Sequence, residues 1–252
     1  MSDRLVDLTG KVALVTGGAR GLGRAISEEL ARAGADLIIA SRKIESCEKA
    51  CSEIRQAYGR RAVALACHVG KWLECERLAE LGWAAFGRID VLVNNAGMSP
   101  VYDDVTSLSE ELFDKIIDVN LKGPFRLGGL IGARMQAAGG GAIVNIGSSA
   151  ATMPLPSSIP YSAAKAGLVA VTQAMAGLFG PQVRVNCVQP GGIATDMGAN
   201  LTEEMIADWT SGTIAKRFAR PEEVAAAVTY LASGAASFTT AAVLRVDGGL
   251  PC

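Results

Sequence analysis

Short runs of mostly aliphatic residues recur seven times along this chain, and helical stretches lie between most of them. Such runs are typical of strands that are buried on both faces. Repeated alternation of strand and helix is typical of a parallel sheet with helices packed on both sides. The sequence therefore predicts an α/β fold with a doubly wound parallel sheet, built as a single domain over residues 1–252. The predicted strands lie in 12–15, 37–39, 63–65, 91–93, 143–146, 183–185 and 243–246, and the predicted helices in 22–33, 43–57, 72–86, 109–137, 160–179 and 221–232.

One segment, 197–218, breaks this alternation. It reads as a polar loop that carries a short helix over about 202–210. Leu201, Met205 and Trp209 follow helical spacing, so they would share one apolar face. The segment is therefore predicted to be a lid over substrate, with Gly198 and Gly212 as hinges. A fixed helix, packed on the domain or on a neighbouring subunit, is the alternative.

The charge pattern excludes several classes of protein. The chain has 24 basic and 25 acidic residues, and no run of basic residues exceeds two. A nucleic-acid groove or an anionic membrane surface needs a basic patch, so neither partner is predicted. No apolar run approaches the roughly 20 residues that span a bilayer. The first eleven residues contain no apolar segment for export, so a cytoplasmic location is expected.

The six cysteines are spaced without a Cys-x-x-Cys pair. They are too sparse for a disulfide scaffold, so reduced thiols are expected. Cys47 and Cys51 lie four residues apart on a predicted helix. Plain packing is a simpler interpretation of this pair than a metal or redox role. His68 is the single histidine. No metal site is predicted.

A glycine-rich turn, Thr16–Gly23, lies between the first predicted strand and the first predicted helix. Glycine permits the sharp turn and lets backbone approach a pyrophosphate, and the helix N-terminus offers free N–H groups to an anion. A turn of this kind can also be structural only. Its place in an α/β chain favours dinucleotide binding by Gly17, Gly21, Leu22 and Gly23.

The spacing of this turn, TGxxxGxG, resembles that of the short-chain dehydrogenase/reductase family. Further landmarks of that family follow in order over residues 8–250: the Asn94–Gly97 segment, Asn120, Ser148, the Tyr161–Lys165 motif and the Pro190–Thr195 segment. The resemblance implies a Rossmann-like fold and an oxidoreductase that transfers the pro-S hydride of a nicotinamide cofactor. It also implies that Asn94, Ala96 and Gly97 line the adenine ribose and support the sheet. The nicotinamide segment would then be formed by Pro190, Gly191, Ile193 and Thr195. Within that segment, the resemblance implies that Ile193 and Thr195 hold the carboxamide.

The residues after the second predicted strand favour NADP(H) over NAD(H). NAD-binding relatives carry an acid there for the ribose 2′-hydroxyl. This chain has Ser41 and Arg42 instead. Because neither residue is an acid, neither would repel a 2′-phosphate. A guanidinium binds phosphate with a two-pronged fork. Arg20 points to the same corner in relatives that use NADP, although both arginines could be ordinary surface charges.

One departure from the family pattern concerns the adenine. After the third strand, relatives usually carry Asp-Val, whose acid contacts the base, whereas this chain has His68-Val69. The backbone contact of Val69 can survive this change, but the side-chain contact must differ. His68 is interpreted as an adenine neighbour rather than a catalyst.

Tyr161 and Lys165 lie four residues apart on a predicted helix, so their side chains project from one face. Reduction of a carbonyl needs a proton and a group that stabilises the developing negative oxygen. A nearby ammonium favours phenolate, so we expect Lys165 to lower the pKa of Tyr161. Tyr161 and Lys165 are the predicted proton-transfer pair.

The family resemblance adds two further catalytic residues. Ser148 matches the serine that hydrogen-bonds the substrate oxygen, although Ser149 is adjacent. Asn120 matches the asparagine at a helix kink, where a water links the lysine to solvent. Relatives also use their lysine to hold the nicotinamide ribose, so Tyr161 and Lys165 belong to the cofactor site as well.

These observations predict an NADP(H)-dependent oxidoreductase that interconverts a carbonyl compound and a secondary alcohol. A 3-oxoacyl-(acyl-carrier-protein) reductase is an alternative, and so are a non-catalytic NADP(H)-binding sensor and a structural or interaction protein. A homo-oligomer, tetramer or dimer, is expected from the family. An apolar ketone is favoured because the predicted pocket residues are mostly apolar: Met153, Pro154, Leu155, Ser157, Ile159, Met197 and Trp209.

Overall fold

A computed structural model describes residues 6–102, 104–194, 202, 204 and 210–251. All seven predicted strands are present and form one parallel sheet. The strands are β1 (Val12–Thr16), β2 (Asp36–Ser41), β3 (Ala62–Ala66), β4 (Val91–Asn94), β5 (Gly141–Ile146), β6 (Val183–Pro190) and β7 (Val243–Val246). The helices are α1 (Gly21–Arg32), α2 (Ile44–Tyr58), α3 (Trp72–Phe86), α4 (Glu110–Ile117), α5 (Gly123–Ala137), α6 (Ile159–Phe179) and α7 (Pro221–Ala232).

The strand order is β3-β2-β1-β4-β5-β6-β7, so the chain reverses direction across the sheet between β1 and β4. In register, Val15 of β1 lies between Ile39 of β2 and Val93 of β4. Open α/β sheets bind ligands outside the carboxyl ends of the strands at such a reversal. The topology is Rossmann-like, as predicted, and places a binding crevice beside the glycine turn.

Two apolar layers cover the sheet, one on each face. Alternate residues of each strand face opposite layers, so Ala13 and Val15 face α1, α2 and α7, whereas Leu14 faces α3, α5 and α6. Cys47 and Cys51 are fully packed within the first layer. All five cysteines among the described residues are free.

The predicted helix 109–137 is not continuous. It consists of α4, a π-helical turn over Asp118–Lys122, and α5. Pro124 has no N–H to donate to the carbonyl of Asn120, so the α-helical ladder cannot run through this point. Turns of this kind are frequent at functional sites, and this one carries Asn120.

The predicted lid, 197–218, lies mostly outside the described residues, as do its hinge Gly198 and its apolar residues Leu201, Met205 and Trp209. Its described end is tied to the C-terminal segment. Backbone N–H groups of Ile214 and Ala215 donate to the carbonyls of Gly249 and Gly248 at 3.3 and 2.9 Å.

Within the described residues, one helical stretch, Pro156–Phe179, is long and apolar enough to cross a membrane by length and composition alone. This stretch contains α6. Here α6 packs against β6 and α5 with one face, and its opposite face is exposed.

Candidate active site

The predicted site residues in the described part of the chain lie at or beyond the carboxyl ends of the parallel strands. The glycine turn follows β1, Ser41 ends β2, Asn94 ends β4, and Pro190 ends β6. Parallel strands bring these ends to one edge of the sheet. Thr195 lies outside the described residues.

The glycine turn forms a cradle that side chains could not occupy. Gly17 and Gly21 have positive φ values of 65° and 51°, which glycine adopts without strain. A Cβ on Gly23 would come within 2.1 Å of the Gly17 carbonyl oxygen. No side chain caps the N-terminus of α1, and its first turn contains no acid. These features fit an anionic group such as a pyrophosphate.

The cradle is held in place by Thr16 and Asn95, two residues that were not among the predicted site residues. The Asn95 side-chain amide donates to the carbonyls of Thr16 and Gly17 at 2.9 and 3.4 Å. The Thr16 hydroxyl oxygen in turn accepts from the backbone N–H groups of Asn95 and Ala96 at 3.0 and 3.1 Å. The segment after β4 is therefore fixed to the turn after β1.

The predicted 2′-phosphate corner contains two exposed arginines, Arg20 and Arg42. Among the described residues, neither guanidinium has an ion-pair or hydrogen-bond partner. Arg24, one turn further along α1, pairs with Glu28 and Glu53 at 2.7 and 2.8 Å. The Ser41 hydroxyl lies 3.0 Å from the Cys47 sulfur and 3.3 Å from the Lys43 carbonyl. The two arginines are thus uncommitted cations at this corner.

Asn94 supports the sheet rather than facing the crevice with its side chain. Its Nδ2 donates to Asn145 Oδ1 at 2.9 Å, and Asn145 Nδ2 donates to the Thr172 hydroxyl at 2.9 Å. All three side chains are buried. The chain of bonds joins β4, β5 and α6, so it fixes the helix that carries Tyr161 relative to the sheet.

Tyr161 and Ser148 are brought together by the short segment between β5 and α6. The Ser148 hydroxyl oxygen accepts from the Ala150 N–H at 3.1 Å, and the hydroxyl is hydrogen-bonded to Tyr161. Burial raises the pKa of Tyr161, and the Ser148 hydrogen bond opposes that shift. The lowered pKa expected for Tyr161 is therefore wrong for this structure: desolvation outweighs the hydrogen bond with Ser148, and the phenol keeps its proton at neutral pH.

Lys165 is 4% exposed and its Nζ lies 5.6 Å from the centroid of the Tyr161 ring. Nζ donates to the carbonyl of Ile146, at the end of β5, at 2.7 Å. Burial lowers the pKa of Lys165 to about 8, with Cys187 opposing the shift. A buried ammonium thus lies beside the tyrosine, held by the strand that leads to Ser148.

The buried Lys165 should make stability depend on pH. Its pKa is about 8 in the folded protein against 10.5 as the ordinary value, so the unfolded chain binds more protons between these values. Stability must then rise with pH across this window. Between pH 7.5 and 9.5 we expect the free energy of unfolding to rise by about 2 kcal/mol more than in Lys165→Met. Urea unfolding of both proteins measures this difference; parallel pH profiles would contradict it.

Asn120 is fully buried in the π-helical turn. Its Nδ2 donates to the carbonyls of Met98 and Ile116 at 2.8 and 2.9 Å, and its Oδ1 accepts from the Met98 N–H at 3.3 Å. A Cβ on Gly97 would lie 3.0 Å from Asn120 Oδ1 and 3.8 Å from Lys165 Nζ. The predicted catalytic asparagine and lysine thus converge on the segment after β4.

The segment after β6 is held against the C-terminal strand. The Gly191 N–H donates to the Val246 carbonyl at 3.1 Å, and Ile193 forms a parallel bridge with Ala219. A Cβ on Gly191 would come within 2.9 Å of the Asp247 backbone. Within the described ranges, no group of three or more His, Cys, Asp or Glu side chains could hold a metal ion.

Comparison with known proteins places this site in a family. A family model described as "Enoyl-(Acyl carrier protein) reductase" matches residues 17–251. The chain is 35% identical to human "Dehydrogenase/reductase SDR family member 4", over 97% of this chain and 88% of that protein. It is 38% identical to "D-threitol dehydrogenase" of Mycolicibacterium smegmatis, over 96% and 93% respectively.

A solved structure extends the comparison to the fold. L-sorbose reductase of Gluconobacter frateurii, complexed with NADPH and L-sorbose, is similar with a TM-score of 0.92 and 28% identity, and 98% of each chain is covered. The sequence matches, the shared fold and the geometry of the site all indicate the same family. The chain belongs to the short-chain dehydrogenase/reductase family and is an oxidoreductase that acts on alcohol or ketone substrates.

Proposed function

We propose that this enzyme is an NADP(H)-dependent carbonyl reductase or alcohol dehydrogenase with Tyr161 as its general acid and base. The observation that carries the proposal is the convergence of Ser148, Tyr161 and Lys165 beside the glycine cradle, at one edge of the sheet. The dinucleotide, when bound, supplies or accepts the hydride. Gly17, Gly23 and the N-terminus of α1 would hold its pyrophosphate.

The protein's own residues account for the proton. Tyr161 keeps its proton at neutral pH and can give it to an oxygen that becomes negative during reduction. The Ser148 hydroxyl, next to the phenol, can donate a second hydrogen bond to that oxygen. The positive charge of Lys165 stabilises the tyrosinate that remains. In the oxidation direction, the same tyrosinate accepts the proton of the alcohol.

The preference for NADP(H) rests on Arg20 and Arg42. Both are exposed at the corner where the turn after β1 meets the end of β2, and both lack partners among the described residues. A relative of the same fold is complexed with NADPH. Charge-assisted hydrogen bonds to phosphate are each worth roughly 1.5–3 kcal/mol, so two such bonds would set the preference.

The double variant Arg20→Ala/Arg42→Ala should therefore lose at least ~100-fold in affinity for NADPH, while its affinity for NADH changes little. Titration of intrinsic fluorescence with each cofactor measures both dissociation constants. Lys11→Ala is a matched control, since Lys11 is a half-exposed cation that precedes β1, at the opposite ends of the strands from this corner. Equal losses for NADPH and NADH in the double variant would reject the assignment.

For the substrate, we propose an apolar ketone. Five of the predicted pocket residues lie between Ser148 and Tyr161, where Met153 and Leu155 are half-buried and Ile159 is 50% exposed. A polyol or sugar-type ketone is the second candidate, favoured by the relatives named D-threitol dehydrogenase and L-sorbose reductase. NADPH consumption with matched apolar and polyhydroxylated ketones, and with a 3-oxoacyl thioester, distinguishes these substrates. An absence of turnover on all three classes would favour a cofactor-binding sensor.

We also propose a homo-oligomer. Helices α4 and α5 present Phe113 and Phe125 to solvent, with 44% and 48% exposure, and Trp72 lies beside Phe125 with ring centroids 6.4 Å apart. Clustered exposed aromatic side chains mark protein interfaces. Light scattering on the purified enzyme measures the mass.

A further inference from the structure

Two short segments near the catalytic residues are joined to each other by hydrogen bonds. One segment, 98–102, comes after β4, and the other, 155–159, leads into α6 and contains predicted pocket residues. The Ser158 hydroxyl donates to the Pro100 carbonyl at 3.3 Å and lies 3.3 Å from the Ser99 hydroxyl oxygen. Because Ser158 is buried, water does not compete for these contacts. The segment 155–159 is therefore fixed to the segment 98–102.

Tyr102 makes three of the contacts between these two segments. Its phenolic hydroxyl donates to the Pro156 carbonyl at 3.1 Å and accepts from the backbone N–H of Ile159 at 3.0 Å. Its own N–H donates to the Ser157 carbonyl at 3.3 Å. The hydroxyl thus uses both its donor and an acceptor position on one short stretch of chain. A single oxygen joins the pocket segment to the first residue of α6.

The first turn of α6 depends on contacts from outside the helix. The N–H groups at a helix start have no partner within the helix, and the side chain of the N-cap residue, Ser158, does not accept from them. Pro160, the second residue of α6, has no N–H, so the Tyr102 hydroxyl satisfies the only N–H of the first two positions. Tyr161 is the third residue of α6. Its position is therefore set by how this turn is held.

The segment 98–102 is held in turn by the π-helical turn. Asn120 Nδ2 donates to the Met98 carbonyl at 2.8 Å, and Asn120 Oδ1 accepts from the Met98 N–H at 3.3 Å. Met98 begins the segment that ends at Tyr102. A continuous path of chain and hydrogen bonds thus joins Asn120 to the start of α6, and the Tyr102 hydroxyl is its last link.

We propose that Tyr102 is a positioning residue for the reaction, because its hydroxyl holds the start of α6, and with it Tyr161, against the pocket segment 155–159. It acts through the helix and not on the reacting atoms. A displacement of about 1 Å can cost about 100-fold in rate. Because the hydroxyl lies near the protein surface, water replaces part of the tie, and we expect a loss of about tenfold. This inference rests on the proposed function in taking Tyr161 as the proton donor.

The test variant is Tyr102→Phe, which removes the hydroxyl and keeps the ring. We expect the single-turnover rate of ketone reduction under saturating NADPH to fall about tenfold. The NADPH dissociation constant should stay within about twofold, and the urea midpoint of unfolding should not change, since exposed hydrogen bonds contribute little to either. Amide hydrogen exchange over 155–162 should become at least ~3-fold faster, because the first turn of α6 then opens more often.

The matched control is Tyr230→Phe. Tyr230 is also partly exposed, and its hydroxyl lies 3.2 Å from the Thr239 hydroxyl oxygen. It belongs to the last turn of α7, where the Leu231 carbonyl accepts from Arg184 near the start of β6. That start lies at the opposite edge of the sheet from the site. Tyr230→Phe should therefore change neither the rate of reduction nor the exchange over 155–162.

Unchanged exchange over 155–162 in Tyr102→Phe would overturn the inference, because the hydroxyl would then not hold the start of α6. Faster exchange with an unchanged rate of reduction would overturn it as well, and so would an equal loss of rate in Tyr230→Phe. The proposed function fails by a different result, namely a wild type that reduces no ketone or a Tyr161→Phe enzyme that keeps its rate. Exchange needs no turnover, so it decides in that case whether Tyr102 holds the helix.

Discussion

Tyr161→Phe should lower kcat by at least ~10³-fold while fold and NADPH affinity are retained. The substitution removes one oxygen, and with it the proton donor and the hydrogen bond to Ser148. General acid catalysis contributes typically ~10²–10⁴-fold, and loss of a donor to the developing oxyanion costs a comparable factor. Single-turnover reduction under saturating NADPH measures the chemical step directly.

The matched control for this variant is Tyr58→Phe. Tyr58, at the end of α2, accepts a hydrogen bond from Arg32 at 3.3 Å and belongs to the opposite layer of the sheet. Its loss should leave kcat within a factor of about two, since exposed hydrogen bonds of this kind contribute little. A Tyr161→Phe enzyme with more than a tenth of the wild-type kcat would show that another group gives the proton.

The strands could be predicted because burial on both faces leaves a mostly aliphatic run, as in Val12–Val15 and Ile143–Ile146. The prediction ended β6 too early, because polar residues follow its aliphatic run. Predicted to stop at 185, β6 runs to Pro190, through Asn186 and Gln189. Asn186 is buried because its Nδ2 donates to the Thr239 carbonyl at 2.9 Å, a partner more than fifty residues away that no local pattern reveals.

Motif spacing predicted the site residues one by one, but it did not predict the residues that hold them in place. Asn95 and Thr16 act through bonds between side chains and backbone that form only when β1 and β4 are paired. The direction of the Tyr161 pKa shift was also wrong, because it depends on how far the helix α6 is covered. The spacing of Tyr161 and Lys165 showed their proximity and could not show their burial.

The π-helical turn gives the second large effect, through Asn120. The side chain is fully buried, and its amide donates to two carbonyls on different segments, those of Met98 and Ile116. Asn120→Asp keeps the shape and removes the donors. An ionised carboxylate would face two carbonyl oxygens with only the Met98 N–H as a donor, and a protonated one has a single O–H for two acceptors.

We therefore expect Asn120→Asp to lower the free energy of unfolding by about 3–5 kcal/mol, as when a buried charge is left unpaired. Asp118→Asn is the control on the same turn: Asp118 is partly exposed and paired with Lys122, so its loss should cost less than about 1 kcal/mol. Urea unfolding at pH 7.5 measures both. Because protonation of the new carboxyl relieves part of the cost, the deficit of Asn120→Asp should shrink as the pH is lowered towards 5. A deficit below 1 kcal/mol, or one that does not change with pH, would show that Asn120 does not hold the segment after β4 against the turn.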